Sequence, residues 1–363
     1  MKVILVNNYS MTAQWEFWLK ENYQCPSHHL WGATTLPKYG IDVDILPYEK
    51  YSLLKKISQK LKIFGDLDQQ LRILFLNSEY DAVYSGHHLT TALLAFLRAI
   101  GIFKKPIVAI AYQSFQKKIS SQLYTKLFLQ GHDKLFCLNN EIKDHLKDEF
   151  DIPAHKLEIL EWGTDLPYYK VKNINHEYEA ECSSRLILSI GKTYRDYDTL
   201  IKAFSQINCH LKICAYGNSF FSDTSGLPSN ISIVEKSLSW EEILVAYQEA
   251  YAVAIPLNIR QDKPYNAIGL TTLLEAMSMG KAVVMTSNQF VGIDVEKQRI
   301  GIFVEQGDVQ GWQQAISYLL EHPDETREMG NRARRLCEEK YNLEVFTSRL
   351  SELLKDVLRS QVL

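Results

Sequence analysis

Two short stretches in the second half of the chain bring together residue types that hold anions. In SIGKTYRDYDTLIKAF, Gly191, Lys192 and Arg195 follow the apolar run LILSI. A loop at the carboxyl end of a strand is where open α/β sheets take their ligands, and two cations there suit a diphosphate. In GLTTLLEAMSMGKAVVMT, residues 269 to 286, Leu270, Leu273, Leu274 and Met277 recur at i, i+3, i+4 and i+7, the spacing of one buried helix face. Gly269 can open this helix and Gly280 can end it at the C′ position. The N–H groups of its first turn then form an anion site. Glu275 and Thr271 project from the other side, so Glu275 is either a solvated residue of an amphipathic helix or a carboxylate aimed at a ligand. A third stretch, GIFVEQGD at 301 to 308, adds a strand followed by a Gly-Asp turn.

The elements that must position these groups follow from the alternation of apolar runs with helical patterns. Short runs at Val3 to Val6, Val43 to Leu46, Ala82 to Tyr84, Ile107 to Ala111, Leu135 to Leu138 and Ile159 to Leu160 suit buried parallel strands. After Trp162 the pattern lapses into a polar, Pro-containing stretch and restarts at Arg185. From there LILSI, LKICAYG, ISIV and YAVAIPL alternate with helices, one near Asp198 to Ser205 and one opened by the capping box Ser239 to Glu242. At 363 residues the chain can bury two cores. The expected organisation is a first Rossmann-like domain over 1–165, a linker over 166–184, a second Rossmann-like domain over 185–342 and a terminal helix over 343–363.

Composition and failed motifs narrow the chemistry. A formal charge of -3 argues against a general nucleic-acid binder. Six cysteines without a C-x-x-C pair read as reduced core thiols of a cytoplasmic protein. The segment IGKTY ends like a phosphate-binding loop, but the glycine that loop requires falls at Leu186. No G-x-G triplet occurs, which disfavours a dinucleotide enzyme. The pairs His28/His29 and His87/His88 lack the i, i+4 spacing of zinc helices, and no metal is expected. Three D-x-D triplets, at Asp42/Asp44, Asp66/Asp68 and Asp196/Asp198, could hold a metal on a nucleotide sugar; in GIDVDIL the aspartates alternate with apolar residues and belong on a strand's solvent face.

Taken together, Gly191-Lys192 with Arg195, Pro256, Gly269 to Val284, and Gly301 to Asp308 resemble the C-terminal domain of the retaining GT-B glycosyltransferases of family 4, the glycosyl transferases group 1. The likeness covers about Arg185 to Tyr341, and ILEWGTD at 159 to 165 is similar to the segment that precedes the family's interdomain linker. The resemblance implies two doubly wound Rossmann-like domains facing across a cleft, with the C-terminal helix crossing back to the first. It implies a nucleoside diphosphate sugar, such as a UDP-sugar, as donor substrate, with no cofactor. Lys192 and Arg195 would hold the diphosphate and stabilise it as it leaves, the amides of Leu270, Thr271 and Thr272 would face phosphate, and Glu275 would accept hydrogen bonds from the ribose. Gly191, Gly217, Gly269 and Asn266 would complete the donor set, and Gly32 stands where a glycine near the donor phosphates is common.

One departure bears on activity. The family often carries a second glutamate eight positions before the first; here that position is Ala267, or Asn266 if the glycine is aligned instead. Sugar recognition must therefore differ. On the acceptor side His28, His29, His87 and His88 follow strands of the first sheet, where a neutral imidazole can orient or deprotonate a hydroxyl; Tyr112 stands where the family often has histidine. Each histidine can equally be a capping or packing residue. In YSLLKKISQKLKIF, Leu53, Leu54, Ile57 and Leu61 form a stripe flanked by Lys55, Lys56, Lys60 and Lys62. Such a helix either packs on its own sheet or lies on an anionic membrane surface, so the expected location is cytoplasmic, with peripheral membrane contact as an option. The leading expectation is a sugar transferase acting on an acceptor hydroxyl. The alternatives are an epimerase or phosphorylase of the same fold, and a non-catalytic nucleotide-sugar-binding protein.

Overall fold

The computed structural model describes residues 1–61, 64–76, 79–113, 122–169, 185–215, 226–259 and 266–360. Gly217, Lys62 and positions 170–184 of the expected linker lie outside them. Each apolar run of the sequence becomes a parallel strand, and among the described residues the strands form two six-stranded sheets. The chain divides into two units. The first comprises Met1–Gly163 with Asn266 and the C-terminal Leu343–Leu363, and the second is built from Thr164 to Asn342 without Asn266.

In the first unit the strands are β1 (Lys2–Val6), β2 (Asp42–Ile45), β3 (Ala82–Ser85), β4 (Ile107–Ala111), β5 (Lys134–Cys137) and β6 (Leu157–Ile159), in the order β2-β1-β3-β4-β5-β6. The central β3 and β4 are buried at every residue, as parallel strands covered on both faces must be. At the edge, β2 turns Asp42 and Asp44 to solvent, and Lys2 pairs with Asp44 at 2.6 Å. Helices α1 (Met11–Lys20), α2 (Ser52–Lys60), α3 (Leu67–Leu74), α4 (Ala92–Ala99), α5 (Gln122–Gln130) and α6 (Asn140–Phe150) connect the strands. Side chains mark several starts: Ser10, Asp66 and Asn139 each accept a backbone N–H of the turn that follows. Asp66 of the second D-x-D triplet is thus a helix cap, and Asp68 binds Arg72 at 2.7 Å.

The second unit holds β7 (Leu186–Ile190), β8 (His210–Cys214), β9 (Ile231–Val234), β10 (Ala252–Ile255), β11 (Ala282–Thr286) and β12 (Gly301–Val304), in the order β12-β11-β10-β7-β8-β9. Its helices are α7 (Tyr197–Phe204), α8 (Trp240–Glu249), α9 (Leu270–Ser278), α10 (Val309–Glu321) and α11 (Pro323–Glu339). The capping box of Ser239 and Glu242 forms at the start of α8. Asp196 caps α7 through Thr199, so the third D-x-D triplet is a helix start as well. A core of Ile187, Leu200, Phe204, Leu211, Tyr251, Val284, Trp312 and Ile316 fills the space between this sheet and α7 and α10. The C-terminal helix α12 (Leu343–Arg359) belongs to the first unit, where Thr347 bonds Thr35 at 2.7 Å and the Tyr39 hydroxyl donates to Glu344 at 2.7 Å.

Candidate functional site

In the second sheet the chain leaves β7 toward β8 on one side and returns as β10 on the other, so β7 and β10 flank the topological switch point, where open α/β sheets bind ligands. The loop after β7 is built around Arg195. Its Nη2 donates to Thr272 Oγ1 at 2.9 Å and its Nη1 to Thr193 O at 3.0 Å. The guanidinium lies where a side chain on residue 191 would stand: a Cβ on Gly191 would come within 2.4 Å of Nη2. Backbone pairing of Arg195 with Leu257, the Asn258 N–H on Tyr194 O at 2.8 Å, and the Tyr197 hydroxyl on Gly191 O at 2.6 Å fix the loop against the end of β10. Lys192 is exposed on the same loop. The two expected cations therefore differ, Arg195 being a half-buried, hydrogen-bonded fork and Lys192 a charge at the surface.

Helix α9 starts beside that loop. Gly269 caps it with φ +92°, and a Cβ there would press on Leu257 at 3.2 Å. The Leu270 N–H donates to Ala267 O at 3.1 Å, so of the three expected amides this one is engaged by the preceding turn. The N–H groups of Thr271 and Thr272 stand in the first turn, which has no intrahelical acceptors. Thr272 does more than offer an amide, because its hydroxyl ties Arg195 to the helix.

The expectation of an amphipathic α9 is corrected. Every residue from Thr272 to Ser278 is buried, and Glu275 is only 7% exposed. The reason is packing on two sides: α11 lies against α9, while Tyr169 and Tyr247 reach Glu275 from the segment after Thr164 and from α8. Tyr169 donates to Oε1 at 3.0 Å and Tyr247 to Oε2 at 2.9 Å. Burial pushes the Glu275 carboxyl up to about 7, while the two tyrosine hydroxyls and the charge of Arg195 pull it down. A solvated glutamate is thereby ruled out. Each carboxylate oxygen retains acceptor capacity beyond its tyrosine, since an ionised carboxylate accepts about four hydrogen bonds.

The second unit thus brings Gly191, Arg195, Gly269, Leu270, Thr272 and Glu275 into one contiguous arrangement, with Lys192 and Thr271 at its surface side. Sequence reasoning missed Tyr169 and Tyr247. Tyr169 lies four residues past Asp165 in what reads as linker, and Tyr247 falls in an ordinary helical pattern; neither position carries a signal of its own. Asp308 of the Gly-Asp turn caps α10, accepting the Gly311 N–H at 2.9 Å.

In the first unit the switch point lies between β1 and β3. Gly86, the residue after β3, lies so close to the Asn7 side chain that a Cβ would meet its Nδ2 at 2.6 Å. Next to it the His87 ring sits 4.7 Å from Tyr112, whose hydroxyl accepts from Asn8 at 3.2 Å. His87 is buried, and burial holds its pKa well below the usual value against a hydrogen bond to the Gln113 side chain. His88 turns the other way, Nδ1 lying 3.3 Å from Ile110 O, with burial lowering its pKa to about 3. His28 and His29 lie against Trp162, each 5.4 Å between ring centres; His28 is buried and His29 half-buried. Gly32 takes φ +84°, and the space beside its Cα is occupied by Leu36, Phe346 and Leu350, a packing position under α12. Asn266 pairs with Gln113.

Residues 184–322, less than half of the chain, match the family model described as Glycosyl transferases group 1. No curated protein sequence matches the chain. Solved structures align over nearly its whole length. The sucrose-phosphate synthase of Thermosynechococcus elongatus superposes with a TM-score of 0.70 at 15% identity, covering 99% of each chain. The Anabaena protein HepE, in complex with UDP-glucose, gives 0.64 at 13% identity over 98% of this chain and 100% of its own. A glycosyltransferase from Rickettsia africae ESF-5 gives 0.64 at 15%, covering 98% of each. The fold is GT-B. The group 1 match falls on the GT-B unit that contains the Gly191 loop, α9 and Glu275.

Proposed function

We propose that this GT-B protein transfers a sugar from a nucleoside diphosphate sugar to an acceptor hydroxyl, with retention at the anomeric carbon and without a metal. The observation that carries the reading is the convergence, at the switch point of the second sheet, of the Arg195 guanidinium, the first turn of α9 and the Glu275 carboxylate. As the glycosidic bond breaks, negative charge grows on the leaving diphosphate. Arg195, Lys192 and the N-terminal amides of α9 would meet that charge in a fixed arrangement, which is electrostatic preorganisation. Glu275 would take the ribose hydroxyls. The capping roles of Asp66 and Asp196 and the outward Asp42 and Asp44 support a mechanism that does not use D-x-D metal binding. The UDP-glucose held by the HepE relative favours UDP as the nucleotide.

The acceptor would lie at the switch point of the first sheet, with His87 the favoured base among the four histidines because it follows β3 there and its ring adjoins Tyr112. Among the described residues no helix is long and apolar enough to cross a membrane. On α2 none of the residues is fully buried and Leu53 is 69% exposed beside Lys56, which supports peripheral contact of a cytoplasmic protein with an anionic membrane face. A second reading, nucleotide-sugar binding without turnover, is favoured by one feature, the absence of a carboxylate at Asn266 and Ala267.

Calorimetry with UDP and UDP-glucose, followed by UDP release in the presence and absence of an acceptor panel, tests the proposal. Donor binding with acceptor-dependent release supports transfer. Conversion of donor alone would indicate an epimerase, binding with no turnover would leave the second reading, and binding of no nucleotide sugar would overturn both.

A further inference from the structure

We propose that Tyr169 and Tyr247 are positioning residues for nucleotide recognition: their hydroxyls fix the plane of the Glu275 carboxylate so that each of its oxygens keeps one lone pair open to one hydroxyl of a ribose diol. The inference rests on the donor reading above and adds to it a pair of residues outside the loop and helix that would touch phosphate.

The geometry assigns one tyrosine to each oxygen, Tyr169 to Oε1 at 3.0 Å and Tyr247 to Oε2 at 2.9 Å. A glutamate side chain has three rotatable bonds, and two donors on separate oxygens suppress rotation about the last of them. Both tyrosines are fully buried. Tyr247 is carried by α8, and Tyr169 is anchored through its own carbonyl, which accepts from Arg334 Nη1 at 2.8 Å while the same guanidinium group also binds Ser278 O at the end of α9. The clamp is therefore built from α8, α9, α11 and the segment after Thr164, by contacts made within the protein itself. Orienting a group on folding rather than on binding is what preorganisation means for affinity. Burial keeps the Tyr169 phenol well above its ordinary pKa, so it remains a donor at every working pH. Phenylalanine would fill the same volume in either place and satisfy packing alone; the hydroxyls matter for the carboxylate.

The test is a cycle of four proteins and two probes. At pH 8.5, above the value of about 7 at which Glu275 ionises, UDP and 2′,3′-dideoxy-UDP are titrated calorimetrically into wild type, Tyr169→Phe, Tyr247→Phe and the double variant, with thermal unfolding of each measured alongside. Wild type should bind UDP about 10- to 100-fold more tightly than the dideoxy probe, as hydrogen bonds to a charged acceptor allow. Each single variant should lose roughly 5- to 10-fold on UDP and the double variant most of the diol's contribution, while all four proteins bind the dideoxy probe alike. Equal losses on both probes would reduce the tyrosines to packing residues and overturn the inference while leaving the donor reading in place. Wild type that binds neither probe would overturn the donor reading and the inference with it. If a phenylalanine variant does not fold, 2′-deoxy-UDP and 3′-deoxy-UDP on wild type read the same geometry: each should lose affinity, and a loss confined to one hydroxyl overturns the clamp.

Discussion

At the scale of single residues, Arg195 and Glu275 carry the strongest expectations. Arg195 is bound in two directions, to Thr272 and to Thr193 O, so its fork is held in one orientation. Replacing both Lys192 and Arg195 by alanine should weaken donor binding by about 10² to 10⁴, given that each charge-assisted bond contributes on the order of 1.5 to 3 kcal/mol. Near-wild-type affinity in calorimetry would refute the assignment. Glu275 makes a different prediction, because its carboxyl lies at about 7 in the folded protein against 4.5 ordinarily. A carboxyl with a raised folded pKa binds more protons folded than unfolded, so the stability it contributes is present below the unfolded value and is lost as pH rises through the folded one. Glu275→Gln mimics the protonated form. The variant should match wild type near pH 4 and exceed it by up to about 3 kcal/mol above pH 8, one pKa unit corresponding to roughly 1.4 kcal/mol. Denaturant titrations across that range read the difference directly, and parallel curves would show that Glu275 does not titrate there.

At the scale of elements, the loop after β7 and the caps of α9 and α10 separate function from stability. Gly191 stands so close to Arg195 that an alanine Cβ would fall 2.4 Å from Nη2, at a φ of +145° that L side chains rarely adopt. Gly191→Ala should displace the guanidinium from Thr272 and lower donor affinity roughly tenfold or more, the scale of one charge-assisted bond. If calorimetry shows unchanged affinity, the guanidinium's position does not matter for the donor. Asp308 closes the separate stretch GIFVEQGD and caps α10. Asp308→Ala should lower stability by about 1 kcal/mol, the usual contribution of an N-cap, and leave donor binding as it was. A loss of donor affinity there would place the Gly-Asp turn in the site after all.

At the scale of the whole molecule, the two sheets repeat one principle, a switch point with a glycine-lined carboxyl edge. In the first sheet that edge presents His87 beside Tyr112, while His88 is spent on Ile110 O inside the core. His87→Ala should leave the donor dissociation constant unchanged and lower transfer by about 10² to 10⁴, the range of a general base. His88→Ala should instead appear in thermal unfolding. Wild-type transfer rates in the His87 variant would move the acceptor role to Tyr112 or to His29.

Much of this was readable in the residues themselves. Continuous apolar runs such as IVAIA and AVVMT specify parallel strands because both faces are buried. Ser239 with Glu242 and Asp196 with Thr199 specify helix starts because capping is a local hydrogen bond. The cations of the Gly191 loop and the helix at Gly269 were legible for the same reason, since their spacing acts over a few residues. The environment of Glu275 was not. A helical wheel assigns one buried face and one open face, but α9 is covered on both, by α11 and by tyrosines 106 and 28 positions distant in the chain. Likewise Gly32 reads as a loop glycine until α12, more than 300 residues later, packs Phe346 and Leu350 onto it. Periodicity reports what a segment can bury. What covers it, and so whether a carboxylate is solvated or clamped near neutrality, is decided by chain segments that meet only in the folded protein.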